Sequence, residues 1–217
     1  ADMVNTVDWD CQLYSRFHSA NKGCRDAVVD GISWFFETEE MGIIFEDDQL
    51  PKSSWFSFAR ELLHKYQNDN RIGLICGTPS AKSSNTRKES YFFSRLSQIY
   101  GWATWKRTWN LYDRHMEELP KFIADRGFEK TGLSTAVSNY LKIKYTKTYS
   151  GQIETWDYQL NFQILKNNLL VIVPSRQLVK NIGFGKESEN NKGVNDIYLF
   201  NEKGDLPENF IIDKIPI

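Results

Sequence analysis

The sequence predicts an α/β fold in which helices pack against a mainly parallel central sheet. Three observations predict it. The runs Met41-Gly42-Ile43-Ile44-Phe45 and Ile72-Gly73-Leu74-Ile75-Cys76 are short and wholly apolar, the pattern of strands covered on both faces. Each run follows a stretch with helical periodicity. The resulting helix–strand–helix–strand order is that of helices laid on a sheet.

The elements follow in order. A helix is predicted over about Asp26 to Glu39, because Val28, Val29, Ile32, Phe35 and Phe36 form one apolar stripe. The strand Met41–Phe45 ends abruptly at Glu46-Asp47-Asp48, with Pro51 just beyond. Ser53 or Ser54 then caps a second helix whose inner face carries Trp55, Phe58, Ala59, Leu62 and Tyr66. The strand Ile72–Cys76 comes next, followed by a polar loop from Thr78 to Ser90 and an extended Tyr91-Phe92-Phe93. From Gly101 the spacing of Trp102, Trp105, Trp109 and Tyr112 predicts an aromatic helix. Further helices are expected near Pro120–Asp125, Leu133–Lys142 and Trp156–Lys166, and strands at Leu169–Val173 and Leu178–Ile182. Gly183-Phe184-Gly185 opens a polar loop that runs to Gly193, and the tail beyond has little periodicity. A nucleotide-binding sheet of this kind ordinarily opens with a strand, so an N-terminal strand–helix unit is expected to be missing from this sequence.

Bulk properties narrow the partners. Twenty-seven basic residues against 28 acidic ones argue against nucleic acid or an anionic membrane as the main partner. Aromatic residues make up 14% of the chain, enough to serve both a deep core and a pocket for sugar rings or bases. Cys11, Cys24 and Cys76 are scattered and odd in number, which reads as a reduced, cytoplasmic setting. No apolar run is long enough for a transmembrane segment. His18, His64 and His115 lack metal-ligand spacing and read as structural or solvent-facing.

Glu46-Asp47-Asp48 is the informative feature. Loops at the carboxyl ends of parallel strands form the ligand crevice of open α/β sheets, and clustered carboxylates repel unless a cation joins them. Mg²⁺ and Mn²⁺ favour such hard oxygen ligands, commonly one or two carboxylates plus substrate phosphates. The same three acids also read as solvated turn residues capping the next helix. Asp157 lies between Trp156 and Tyr158 at a helix start, where it is either a desolvated base or an acid favoured by the helix dipole. Arg25, after Asn21 and Gly23 on the turn into the first helix, either faces a phosphate or lies at the surface.

Several blocks in one order carry a resemblance over about residues 10 to 190. Gly42–Asp48 before an aromatic helix resembles the nucleotide-sugar turn of GT-A glycosyltransferases. The likeness is to inverting enzymes of the N-acetylglucosaminyltransferase I type and to bacterial family-2-like sugar transferases. Asn21-Lys22-Gly23-Cys24-Arg25, Tyr100-Gly101-Trp102-Ala103-Thr104-Trp105, Thr155-Trp156-Asp157, Val173-Pro174-Ser175 and Asn181-Ile182-Gly183-Phe184-Gly185 follow the same order. The resemblance implies a three-layer α/β/α GT-A sandwich lacking its N-terminal strand. It divides one domain, residues 1–217, into a nucleotide-sugar half of about 1–90 and an acceptor and base half of about 91–195, with a tail at 196–217. It gives Asp48 the divalent cation, Mn²⁺ or Mg²⁺, and gives Glu46, Asp47, Asn21, Gly23 and Arg25 the nucleotide and donor. Asp157 becomes the base, Gly101, Trp102 and Trp156 the acceptor side, and Gly183, Phe184 and Gly185 the loop that closes over the donor.

The expected donor is a UDP-sugar, and the acceptor a saccharide or lipid-linked saccharide, as in polysaccharide biosynthesis in the cytoplasm or at the inner face of the membrane. Two departures from the family pattern stand out: the first nucleotide-binding strand, and a His found in some relatives after Gly185. Two competing classes remain. One is a catalytically silent nucleotide- or sugar-binding domain, and the other a nucleotidyltransferase. The latter would want a Gly-rich phosphate loop that this sequence does not show.

Overall fold

A computed structural model describes residues 6–79 and 89–183. Helix α1 spans Gly23–Thr38, strand β1 Met41–Ile44, strand β2 Gln49–Pro51 and helix α2 Ser53–Lys65. Then come β3, Ile72–Cys76, β4, Tyr91–Ser94, and β5, Trp102–Trp105. The short helices α3, Lys106–Trp109, and α4, Leu119–Ala124, precede a 3-10 turn at Gly127–Thr131. Helix α5 covers Thr135–Tyr149 and α6 Asp157–Lys166, followed by β6, Leu170–Pro174, and β7, Val179–Asn181.

The main sheet has the order β1-β5-β3-β6-β4, and β2 pairs with β7 in a separate ribbon. The expectation of a mainly parallel sheet is corrected here. Among the described strands only β3 and β6 run parallel, while β1–β5, β5–β3 and β6–β4 are antiparallel. The apolar run at 41–45 is therefore an outer strand of the described sheet, half-buried along its length. Two-sided burial, which the sequence suggested for both runs, holds for β3, buried at every residue. Both faces of the sheet are covered by helices, so the coarse reading of an α/β fold stands.

On one face α2 inserts Trp55, Phe58, Ala59, Leu62 and Tyr66 against Ile72, Ile75, Ala103, Trp105 and Ile172. These are the residues its periodicity selected. Burying such large apolar side chains stabilises the layer by about 1.5–3 kcal/mol each. On the other face α1 and α6 bring Ile32, Phe36, Leu160 and Ile164 onto Leu74, Cys76, Trp102, Val171 and Val173. Ile72 and Ile75 share a face although they are an odd number apart, because the β3–β6 register shifts between Ile72 and Leu74. A third cluster, with Met116, Leu119, Phe128, Leu141, Tyr145, Phe162 and Leu165, joins α4, α5 and the far side of α6.

Two local expectations are also corrected. The segment from Gly101 opens as strand β5 and turns helical only at Lys106. Trp102 and Trp105 thus reach opposite faces of the sheet, the first packing with Trp156 and the second under α2. Helix α2 begins at Ser53, with Lys52 as its cap position and no side-chain capping bond. Arg107 closes the corner beyond β5. Its guanidinium lies 4.1 Å from the Trp105 ring centre and donates to the carbonyls of Tyr66, Asp69 and Ile72. Among the described residues no helix is long and apolar enough to cross a membrane.

Candidate functional site

The turn after β1 is built by its own backbone and by one side chain. Gln49 N–H donates to the Glu46 carbonyl at 3.2 Å and closes the turn. The Gln49 carboxamide then folds back, its Oε1 accepting from Glu46 N–H at 3.2 Å and its Nε2 donating to Glu46 Oε1 at 3.2 Å. Beyond the turn, β2 pairs with β7, and Ile182 N–H donates to the Asp48 carbonyl at 2.7 Å. Gly183 consequently backs onto Asp48 so closely that a Cβ there would collide with the carboxylate. Asn181 Oδ1 accepts from Gly183 N–H at 2.7 Å and holds this bend. The acidic turn and the start of the Gly183 loop, far apart in the chain, are one structural unit. Phe184 and Gly185 lie outside the described residues.

Two more segments approach the turn. The first is the entry to α1, where Asn21 Oδ1 accepts from Gly23 N–H at 2.8 Å. Burial pushes the Cys24 thiol upward, and the charges of Glu46, Asp157, Glu154 and Asp47 push it further. The second is the entry to α6. Burial raises the Asp157 carboxyl above the ordinary carboxylate range, against hydrogen bonds from the Thr155 hydroxyl and the backbone N–H of Tyr158. Glu46 feels both neighbourhoods. Burial first, then repulsion from Asp48, Asp157 and Asp47, lifts its carboxyl to about 7, while the Gln49 amide opposes the rise.

The result is a knot of carboxylates with little compensating positive charge of its own. Arg25, expected at the nucleotide, instead pairs its guanidinium with Asp26 at 3.0 Å, and Arg114 takes the other Asp26 oxygen at 2.8 Å. These pairs hold Asp26 below its usual range. Asp48 Oδ1 is buried and has no hydrogen-bond partner among the described residues. An orphaned carboxylate oxygen in an acidic knot fits a hard divalent cation. No three carboxylate, thiol or imidazole groups among the described residues converge tightly enough to form a complete metal cage. A cation here would therefore need oxygens from a ligand as well as from Asp48.

The remaining expected positions fall beside this knot. Gly101 adopts φ +57° and its N–H donates to Gln49 Oε1 at 2.6 Å; a Cβ there would meet Val179 at 2.7 Å and Phe45 at 3.0 Å. Trp102 and Trp156, expected on the acceptor side, are instead both buried and stack on one another at 5.8 Å in the core, so neither ring is open to an acceptor. Trp105 and Trp109 are buried as well. Cys24, Gln49, Glu154 and Thr155 enter the site without having been singled out. Cys24 and Thr155 lay inside quoted blocks and Glu154 lay next to one, but nothing local told which of them turn inward. No protein-family model and no curated protein matches the chain.

Proposed function

We propose that this chain is a GT-A-type glycosyltransferase that moves a sugar from a nucleoside-diphosphate donor, a UDP-sugar, to an acceptor hydroxyl with inversion. One observation carries the reading. Carboxylates from the β1 turn and the α6 entry crowd around Glu46, which burial first and their repulsion second hold at about 7, with a buried Asp48 oxygen left unpartnered beside them. Mutual repulsion of this kind costs stability, and a site that keeps it is suited to an incoming cation and its phosphate ligand.

Asp48 and the donor diphosphate would hold Mn²⁺ or Mg²⁺, which supplies Lewis-acid neutralisation of the leaving diphosphate. The protein's own side chains do the rest. Asp157 takes the proton of the attacking acceptor hydroxyl, and its raised affinity for protons suits that task. Thr155 holds one Asp157 oxygen and fixes the carboxylate's orientation. Glu46, held by Gln49, would contact the nucleotide or the donor sugar. Trp102 and Trp156 exclude water beneath the acid. No covalent enzyme intermediate is needed, since one displacement at the anomeric carbon inverts it.

The test is calorimetry with UDP, with and without Mn²⁺, on the native chain and on Asp48→Ala. Binding that requires Mn²⁺ and is lost in the variant is expected. Equal affinity in both proteins would remove Asp48 from the site. Mn²⁺-dependent UDP binding with neither transfer nor donor hydrolysis would leave a nucleotide-binding domain in place of an enzyme.

A further inference from the structure

Gln49 is a side chain that ties the acidic turn to the other half of the site. It is nearly buried, at 9% exposure, and uses three of its hydrogen-bonding positions. Oε1 accepts from two backbone N–H groups, those of Glu46 and Gly101, and Nε2 donates to the Glu46 carboxyl. Two N–H groups converging on one atom require the oxygen there, which fixes the amide's orientation. At 2.6 Å, the bond from Gly101 is shorter than an ordinary N–H···O contact.

Gly101 cannot drift to follow the turn. Its left-handed backbone is wedged against Val179 and Phe45, and Leu178 and Val179 N–H both donate to the carbonyl of Gly77 behind them. From Gly101 the chain runs directly into Trp102, which stacks on Trp156, the residue before Asp157. A continuous path of contacts thus leads from the acidic turn through Gln49, Gly101, Trp102 and Trp156 to the base.

We infer that Gln49 is a positioning residue that sets the acidic turn at a fixed distance from Gly101 and, through the two stacked indoles, from Asp157. The role rests on the transfer reading above, because it matters when two substrates must meet in line. Misplacement of about 1 Å between reacting groups can cost about 10²-fold in rate. A short polar side chain at this position would leave Gly101 N–H unsatisfied, and an apolar one would also free the Glu46 carboxyl.

The experiment follows the Gly101 amide by ¹⁵N–¹H spectroscopy while Mg²⁺ and UDP are added to the native chain, Gln49→Met and Gln49→Asn. Calorimetry runs in parallel. In the native chain the Gly101 amide should shift as the turn takes up Mg²⁺–UDP. In Gln49→Met that response should vanish while Mg²⁺–UDP affinity falls by no more than about a hundredfold, the order set by losing three hydrogen bonds. Gln49→Asn keeps a carboxamide but falls one methylene short of Gly101; it should behave alike and serves if the Met variant fails to fold. A purely structural Gln49 would lower the melting temperature and leave the Gly101 response intact, which overturns the role. So does a silent Gly101 in a native chain that binds Mg²⁺–UDP. A native chain that does not bind Mg²⁺–UDP overturns the transfer reading itself, and this role with it.

Discussion

Replacing Glu46 by Gln tests the electrostatics of the site in the metal-free protein. The amide keeps an oxygen for the Gln49 Nε2 bond and removes the charge that Asp48, Asp157 and Asp47 oppose. Glu46 titrates near 4.5 in an unfolded chain and at about 7 in the fold, so the folded state binds this proton more tightly. Below about pH 4.5 both states are protonated and the site carries no penalty. Between pH 4.5 and about 7 the unfolded chain ionises first, so native stability falls as pH rises; above about 7 the loss is complete. At about 1.4 kcal/mol per pH unit, that separation bounds the loss near ~3 kcal/mol. The carboxyl is only partly buried, and solvent screening brings the figure to about 1–2 kcal/mol. Glu46→Gln should therefore melt about 3–6 °C above the native chain at pH 8 in chelator, and together with it at pH 4.5. Thermal denaturation followed by circular dichroism across pH 4.5–8.5 reads the difference. Parallel curves for the two proteins over that whole range would refute the reasoning.

Three further outcomes are expected. Asp157→Asn should abolish sugar transfer while Mn²⁺-dependent UDP affinity is retained; a variant that still transfers would strip Asp157 of the base role. Gly183→Ala should weaken Mn²⁺–UDP binding at least tenfold with little change in melting temperature, because the added Cβ displaces the Asp48 carboxylate; unchanged affinity in calorimetry would show that the bend yields without cost. Arg107→Met, far from the site, should destabilise by about 2–4 kcal/mol in urea unfolding, since three backbone carbonyls lose a charged donor. A loss under 1 kcal/mol would mean that water replaces the guanidinium.

The sequence was most legible where one periodicity acted alone. The inner face of α2 and the limits of β3 were read residue by residue, because a covered helix stripe and a two-sided strand leave unambiguous apolar patterns. Strand β5 was misread because Trp102, Trp105, Trp109 and Tyr112 repeat at helical intervals for two unrelated reasons. Trp102 and Trp105 occupy opposite faces of a strand, and Trp109 and Tyr112 stack at 4.6 Å on the following turn. Strand direction was invisible at β1, since an apolar run looks alike whether its neighbour runs with it or against it. At the site, the triplet Glu46-Asp47-Asp48 and the acid Asp157 stood out from their immediate neighbours, and the resemblance alone separated Asp48 within the triplet. The part Gln49 plays was beyond reach, for it depends on Gly101 lying beside a residue 52 positions earlier in the chain.

The ribbon formed by β2 and β7 has a consequence for when the site exists at all. Its strands are three residues each, and residue 51 must find residue 179 before the turn gains its second support. Pairing segments this far apart in the chain waits on the main sheet and adds few contacts in return. The acidic turn is thus among the last parts to lock during folding and the first to loosen afterwards, with its own opening equilibrium beneath that of the sheet. A ligand bridging the turn to the β7 side acts as a staple across that ribbon. Occupancy should then slow amide exchange at Lys52 and Ile182 while the interior of β3 goes on exchanging only through global unfolding.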